Sequence, residues 1–484
     1  MQSRPEDSPF LPMRPGHRAA VLLGLWGYLA AVGLLSYFHG TATTVWVFAA
    51  LTLNFALLSL PLVFYRPGFG WTHPVVLHVF LVFLFSHLVR TPLYVRGLEH
   101  HLALPDWDRD GLARLVAIQL LLGAVALVAY YLGFFSGVGS RVPRLRFREP
   151  RAIAWTSLAV VAATVAVFAY YLRTQGGLQS HMLSWAEVGR VDAVQGEGHW
   201  LKISRLGGLA ALIWLAFDGR ALRKPLFWTA AAVTLTVSFL GSGSRSSAVF
   251  LLVVGTLIWM IRRRRMFALR GLLVVALCLV LVASLGRLRR GLFRGEVDWR
   301  TLVSVSAVES LGSVVDELLY RYGTLDSAYP VLARVPGEID LLWGESYLTI
   351  LALPIPRALW PEKPGTVGKL AGEVFYGVKA GIPPGAVAES YWNFHVPGVV
   401  LLFFLFGICH RFLASLLAAN GEQPAVVVIY ALTVFWNQPS VTAVAEWIYM
   451  TASALVLLWL LGALRRTEKK QAGVLPDLDA RRTA

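Results

Sequence analysis

The sequence predicts an all-α, polytopic membrane protein, and three observations carry that prediction. The 484 residues are 56% hydrophobic and only 15% charged, whereas soluble domains carry about a quarter charged residues. Mean hydropathy is +0.61. Apolar runs close to the ~20 residues that a helix needs to cross a ~30 Å hydrocarbon core recur along the chain. This composition excludes disorder and argues against a soluble enzyme.

The runs fall at 19–38, 44–64, 74–95, 113–135, 152–171, 203–217, 226–241, 246–261, 271–286, 397–415, 424–437 and 443–464. They predict about 12 transmembrane helices. The short ones (203–217, 226–241 and 424–437) must draw on flanking polar residues. The first run is not a cleaved signal peptide, because it has no clear small-residue cleavage site and a second span follows at once. The expected organisation is a cytoplasmic N-terminus (1–18), nine helices over 19–286, a large extracytoplasmic loop (287–396), three helices over 397–464 and a cytoplasmic tail (465–484).

Lysine and arginine in short loops set the orientation. Segment 136–151 carries Arg141, Arg144, Arg146, Arg148 and Arg151, and segment 218–225 carries Arg220, Arg223 and Lys224. With Arg262 to Arg265 and the tail residues Arg465, Arg466, Lys469 and Lys470, all fall on one side of a twelve-helix arrangement. That side is read as cytoplasmic, with both termini on it. The net charge of +16 and pI near 10.1 would suggest nucleic acid in a soluble chain. Here the excess is explained by anchors that meet anionic lipid, and no nucleic-acid partner is expected. Cys278 and Cys409 both sit in apolar runs and read as packing residues, so no disulfide framework or metal site is expected.

Function is expected where polar mass gathers, on the outer loops 90–113, 172–202 and 287–396. Long ordered loops usually carry function. Four constellations stand out. In GSGSRSS, Gly241 to Ser247, a tight turn exposes N–H groups before a helix N-terminus, which favours anions. Arg245 adds a guanidinium that can grip phosphate. The alternative is a hairpin turn whose arginine snorkels to headgroups. In the stretch Gly344 to Gly365, Pro354, Pro356, Pro361 and Pro364 fix a rigid path. Arg357 and Lys363 lie on it as candidate diphosphate ligands, with Trp360 between them to stack on a sugar or anchor at the interface.

The third constellation, Gly385 to Val400, holds Glu389, Tyr391, Trp392, Asn393 and His395. A carboxylate or imidazole beside aromatic rings suits a sugar site with a general base, and a helix cap with an aromatic belt is the other reading. The fourth is loop 172–202, with His181, Glu187, Arg190, Asp192, Glu197 and His199. Arg190 is a phosphate contact or a salt-bridge partner, and the histidines are candidate bases. Arg321, in ELLYRYGTLD, is likewise a phosphate contact or a helix-surface charge.

Three elements resemble the O-antigen polymerase, or Wzy-like oligosaccharide repeat-unit polymerase, family of bacterial envelopes. They are the Gly-Ser-Arg turn (Gly243, Ser244, Arg245), the Pro-Arg-x-x-Trp-Pro-x-Lys-Pro stretch (Pro356 to Pro364) and the Glu-x-x-x-Asn-Phe-x-x-Pro-Gly stretch (Glu389 to Gly398). One departure is His395, where the family pattern has Gly after Asn-Phe. The resemblance implies a multi-pass protein of the bacterial inner membrane with its active site facing outward. It implies transfer of glycan from undecaprenyl diphosphate to an acceptor sugar hydroxyl, without cofactor or metal and with inversion. Arg245, Arg321, Arg357, Lys363 and Arg190 would hold the diphosphate. Glu389, His199 or His395 would take the acceptor proton. Trp360, Tyr391, Trp392 and Asn393 would hold the sugar. Membrane lipids, a chain-length regulator and a flippase are the expected neighbours.

Two other classes compete. An O-antigen ligase or another lipid-linked glycosyltransferase would use the same donor. The multispan enzymes with an acidic pair in a long first outer loop fit poorly, because that loop is His39 to Thr43 and holds no acid. A transporter or flippase would bury ionisable groups at mid-membrane, but the expected spans are nearly devoid of them, with Glu446 the main exception.

Overall fold

The computed structural model describes residues 8–39, 42–64, 69–79, 103–104, 106–148, 150, 152–187, 198–242, 246–266, 325–352, 355, 359–360, 362–378, 381–436 and 438–464. Sixteen α-helices are described: α1 (Pro15–His39), α2 (Ala42–Val63), α3 (Pro74–Leu77), α4 (Arg109–Phe135), α5 (Ile153–Thr174), α6 (Leu178–Glu187), α7 (Gly198–Ser204) and α8 (Leu206–Phe217). They continue with α9 (Pro225–Ser242), α10 (Ser246–Arg263), α11 (Leu325–Arg334), α12 (Glu345–Ala352), α13 (Val367–Tyr376), α14 (Ala386–Asn420), α15 (Pro424–Trp436) and α16 (Val441–Leu460). No β-strand occurs among the described residues.

Seven of these stretches are long and apolar enough to cross a membrane, and two shorter apolar helices, Pro225–Gly241 and Pro424–Trp436, accompany them. The expected runs coincide with helices wherever they are described. The 271–286 run and most of 74–95 lie outside the described residues. The expected long loop is partly helical, since α11, α12 and α13 all fall within it.

The centre of the bundle is α4, which packs against α2, α11 and α14. Its start is local chemistry: Asp108 caps it by accepting the Gly111 N–H at 2.7 Å, and Asp110 in the first turn suits the positive end of the helix dipole. Small residues set its crossing with α14. Gly133 lies against the Phe404 carbonyl and Gly407 against the Tyr130 carbonyl, so a Cβ at either position would strike backbone. Lipid tails are as apolar as the helix surface, so such close backbone approach is a main source of helix affinity in a bilayer. Phe134, Phe403 and Trp214 are fully buried in the main core.

Two ionisable residues, His410 and Arg411, lie in α14 within the expected 397–415 run, so that span is not devoid of ionisable groups. Tyr130 Oη meets His410 Nδ1 at 2.7 Å, and the Arg411 guanidinium lies 5.5 Å from the Phe134 ring centre.

The basic segments gather at one end of the bundle. Arg262 Nη1 donates to the Glu422 carbonyl at 3.1 Å, and Arg264 pairs with the Glu422 carboxylate at 3.1 Å. Arg263 donates to the Gly219 carbonyl. Asn420 and Gln423 hold the 143–147 backbone through Leu145 N–H, Phe147 N–H and the Pro143 carbonyl. Three separate arginine-bearing segments therefore share the end formed by the α14–α15 turn. These are three of the four basic segments expected on one side; the tail with Arg465, Arg466, Lys469 and Lys470 lies outside the described residues.

At the opposite end, α14 is broken. The sequence places the helix start near Pro397, but helical residues begin at Ala386 and the break falls at Phe394 and His395. Pro397 has no N–H and its ring displaces the carbonyl four residues back, that of Asn393. The freed carbonyls find partners in the loop. Leu342 N–H donates to Trp392 O, and Trp343 N–H to Asn393 O, each at 3.0 Å. Gly398 lets the chain re-enter closely, since a Cβ there would lie 2.5 Å from the Ser390 carbonyl. A second, smaller core forms on this side from α11, α13 and the start of α14, including Val331, Phe375 and Trp392.

Candidate functional site

The broken segment of α14 organises a polar cluster. Glu389, on its first full turn, is 1% exposed. Its Oε1 accepts the Val441 N–H at 2.9 Å, which satisfies a free amide at the start of α16. A carboxylate there also suits the α16 dipole. The Ser346 hydroxyl of α12 meets the Asn393 side chain, Nδ2 to Oγ at 2.8 Å, and Asn393 Nδ2 reaches the Glu389 carbonyl at 2.8 Å. Tyr347 Oη donates to the Pro439 carbonyl at 3.3 Å and lies 3.4 Å from Ser390 Oγ. Burial pushes the Tyr347 phenol up, the Glu389 charge adds to that, and the Ser390 hydrogen bond opposes it. Glu389 thus joins α14 to the start of α16, and Asn393 joins α14 to α12.

Beside this cluster lies a cavity of about 210 Å³. Ser346 and Thr349, three residues apart on α12, line it. Lys363 and Lys369 supply cations and Glu345 and Glu373 supply carboxylates. Lys369 and Glu373 are 4.0 Å apart on α13. Glu345 is exposed and makes no ion pair among the described residues. Lys363 is held toward the cavity by two contacts: its N–H donates to Trp360 O at 3.1 Å and its Nζ to Ile355 O at 3.0 Å. The second contact folds the proline-rich stretch back on itself.

The structure distributes the expected site residues unevenly. Lys363 lines the cavity, and Trp360 is partly exposed next to it in sequence. Glu389 and Asn393 stand behind Ser346 and have no exposed surface to offer a sugar. Trp392, expected to face a sugar, is instead buried: it packs edge-on to Phe375 at 4.9 Å, and its Nε1 donates to the Asp340 carbonyl at 3.3 Å. Burial follows from the helix phase, because Trp392 and Ala388 both point into the second core. Tyr391 and His395 lie half-buried on the other side, Oη to Nε2 at 2.8 Å.

His395 has φ 56° and ψ −151°, a region that suits glycine almost alone. The glycine of the resembled pattern therefore has a backbone reason, and this chain carries strain at that point. Arg190, Arg245, Arg321 and Arg357 lie outside the described residues, as does the side chain of His199. His181 is buried, with its ring nitrogens 3.2 Å from Tyr171 Oη and the Leu240 carbonyl, and it joins α6 to α5 and α9.

Four residues stand out only in three dimensions. Glu345 and Ser346 precede the proline-rich stretch, and the i, i+3 spacing of Ser346 and Thr349 was the available signal. Arg205 pairs with Glu446 at 3.5 Å, and Lys202 lies 5.2 Å from the Tyr449 ring centre; both cations sit near the α16 start, on elements distant in sequence. Among the described residues no three His, Cys, Asp or Glu side chains converge as metal ligands. No family model, curated protein or solved structure matches this chain.

Proposed function

We propose that this protein is a membrane glycosyltransferase that polymerises oligosaccharide repeat units carried on undecaprenyl diphosphate, at the outer face of a bacterial inner membrane. The observation that carries the reading is the cavity beside the proline-rich stretch, lined by a lysine of that stretch together with Ser346, Thr349 and the Glu345 carboxylate, which makes no ion pair among the described residues. A lipid-linked donor needs cations for a departing diphosphate, a base for an incoming hydroxyl, and donors to orient sugar. The cavity holds all three types at the end of the bundle where the long loop folds.

In the reaction, the bond between the anomeric carbon and the diphosphate oxygen breaks as a bond forms from an acceptor hydroxyl. The electron pair leaves with the diphosphate, whose growing charge Lys363 and Arg357 neutralise. Preorganised charge of this kind supplies roughly a few kcal/mol per group. The hydroxyl proton passes to a carboxylate. In this reading Glu345 takes that role, supported by its position lining the cavity, where Glu389 is absent. Glu389 is a positioning residue that holds the α16 start. Attack opposite the leaving group inverts the anomeric centre.

The test is incubation of the reconstituted protein with lipid-linked oligosaccharide, with products resolved on a gel. A ladder supports the polymerase. A single addition to a lipid acceptor identifies a ligase instead. Movement of intact lipid-linked substrate across vesicles, without new glycosidic bonds, identifies a transporter.

A further inference from the structure

A second cavity, of about 510 Å³, opens at the basic end of the bundle. It lies between the C-terminal ends of α8 and α10 and the turn leading into α9, and the transfer reading makes no use of it. Arg223, Arg262, Arg263 and Arg265 line it. The one acid among its lining residues is Asp218. That carboxylate is already engaged, by Lys224 Nζ at 2.7 Å, the Arg220 N–H at 2.9 Å and Trp214 Nε1 at 3.1 Å. The cavity therefore concentrates positive charge that its own residues leave unneutralised.

The arginines divide into two pairs. Arg262 and Arg263 donate to backbone carbonyls, of Glu422 and Gly219, which fixes their guanidinium groups without cancelling their charge. The side chains of Arg223 and Arg265 make no ion pair among the described residues. Helix C-termini favour cations, which accounts for arginine at the end of α10 but not for arginines from two elements facing one concavity. The remaining wall is apolar: Leu215 of α8 and Trp259 of α10 continue it along the helix surfaces.

We propose that this cavity binds the phosphate of an anionic phospholipid headgroup. Guanidinium forks match phosphate oxygens, and basic recesses between membrane helices suit acidic lipid headgroups. The apolar wall distinguishes a lipid from a soluble phosphate, since only the lipid brings a glycerol and acyl chains to cover Leu215 and Trp259. A bound headgroup would brace α8, α9 and α10 against one another.

The experiment uses the full-length protein in a neutral detergent, with native mass spectrometry as the readout. Dioleoylphosphatidylglycerol, dioleoylphosphatidylcholine and inorganic phosphate are titrated separately. Saturable one-to-one retention of the glycerol lipid, with little retention of the choline lipid, is expected. The Arg223→Ala/Arg265→Ala protein should lose about thirtyfold in affinity, from about fivefold per arginine at a membrane surface. Equal retention of the two lipids, or an unchanged affinity in the folded double variant, overturns the proposal. Inorganic phosphate that saturates the protein and blocks the glycerol lipid overturns the lipid assignment. If the double variant fails to fold, Arg265→Ala alone is read, with a loss of about fivefold expected and no loss counting against the site.

Discussion

At the loop end of the bundle, a carboxylate is buried and α12, α14 and α16 close around it. At the basic end, four arginines from two elements line an open recess and bond mainly to neutral carbonyls or to nothing described. A buried polar group must be hydrogen-bonded or it costs free energy to bury. Glu389 meets that demand with the Val441 amide, and so is committed to architecture. An exposed guanidinium in water faces no such demand, and its charge stays available to a ligand. The two ends differ because burial decides whether a polar group is spent inside the fold or kept for something outside it.

The largest expected effect tests the cavity at the loop end. Lys363→Ala and Glu345→Gln should each lower polymer formation by roughly 10²–10³-fold in the gel assay while leaving the melting temperature almost unchanged, since neither group is buried. Normal elongation by both variants would remove the cavity from the mechanism.

Next comes the buried carboxylate. Glu389→Ala should cost about 1–3 kcal/mol in thermal unfolding, because it orphans the buried Val441 amide. Glu389→Gln keeps an acceptor for Val441 and should recover most of that stability, with activity falling by less than about tenfold. A loss of roughly 10²–10⁴-fold in the stably folded Gln protein would instead make Glu389 the base.

His395→Gly removes a backbone strain of about 1–3 kcal/mol and forfeits one hydrogen bond to Tyr391 worth about 1 kcal/mol. A modest rise in melting temperature is expected. A fall would show that the imidazole contact outweighs the backbone cost.

At the basic end the effects on stability should be small. Burial raises the Asp218 carboxyl, but hydrogen bonds from Lys224, the Arg220 N–H and Trp214 outweigh it and hold the group below the usual carboxylate range. Its contribution is complete above the unfolded carboxyl pKa of about 3.9 and is lost as pH falls through the lower folded value. Asp218→Asn should therefore cost less than about 1 kcal/mol at neutral pH, the site being well solvated. The difference from wild type should vanish in strong acid, as read by unfolding at several pH values. Arg223→Ala/Arg265→Ala should shift lipid-free stability by no more than about 0.5 kcal/mol. A large drop would mean that these arginines are structural, like Glu389.

Much of the helical layout was legible because apolar runs of membrane length leave few other structures open. Pro397 was read as the start of a helix, whereas the structure carries a longer helix through it and breaks at Phe394 and His395. Pro397 looks like a first helical residue in sequence, and only the loop donors from Leu342 and Trp343 make a helical turn before it affordable. The polar residues were harder to assign. Glu389, Trp392 and Asn393 have the right chemistry for a sugar site, but their helix phase turns them inward. Glu345 and Ser346 carry little signal alone and gain meaning from the lysine that the proline-rich stretch folds over them.

Composition and hydropathy by themselves determined that this chain is helical and built for a bilayer, because unpaired backbone cannot be left in hydrocarbon. The basic segments 136–151, 218–225 and 262–265 were expected on one side, and their described parts do gather at the α14–α15 turn. Only the tertiary structure decided which polar groups are partnered and which stay open, because that depends on what lies within about 3 Å of each atom, and residues hundreds of positions apart supply those neighbours.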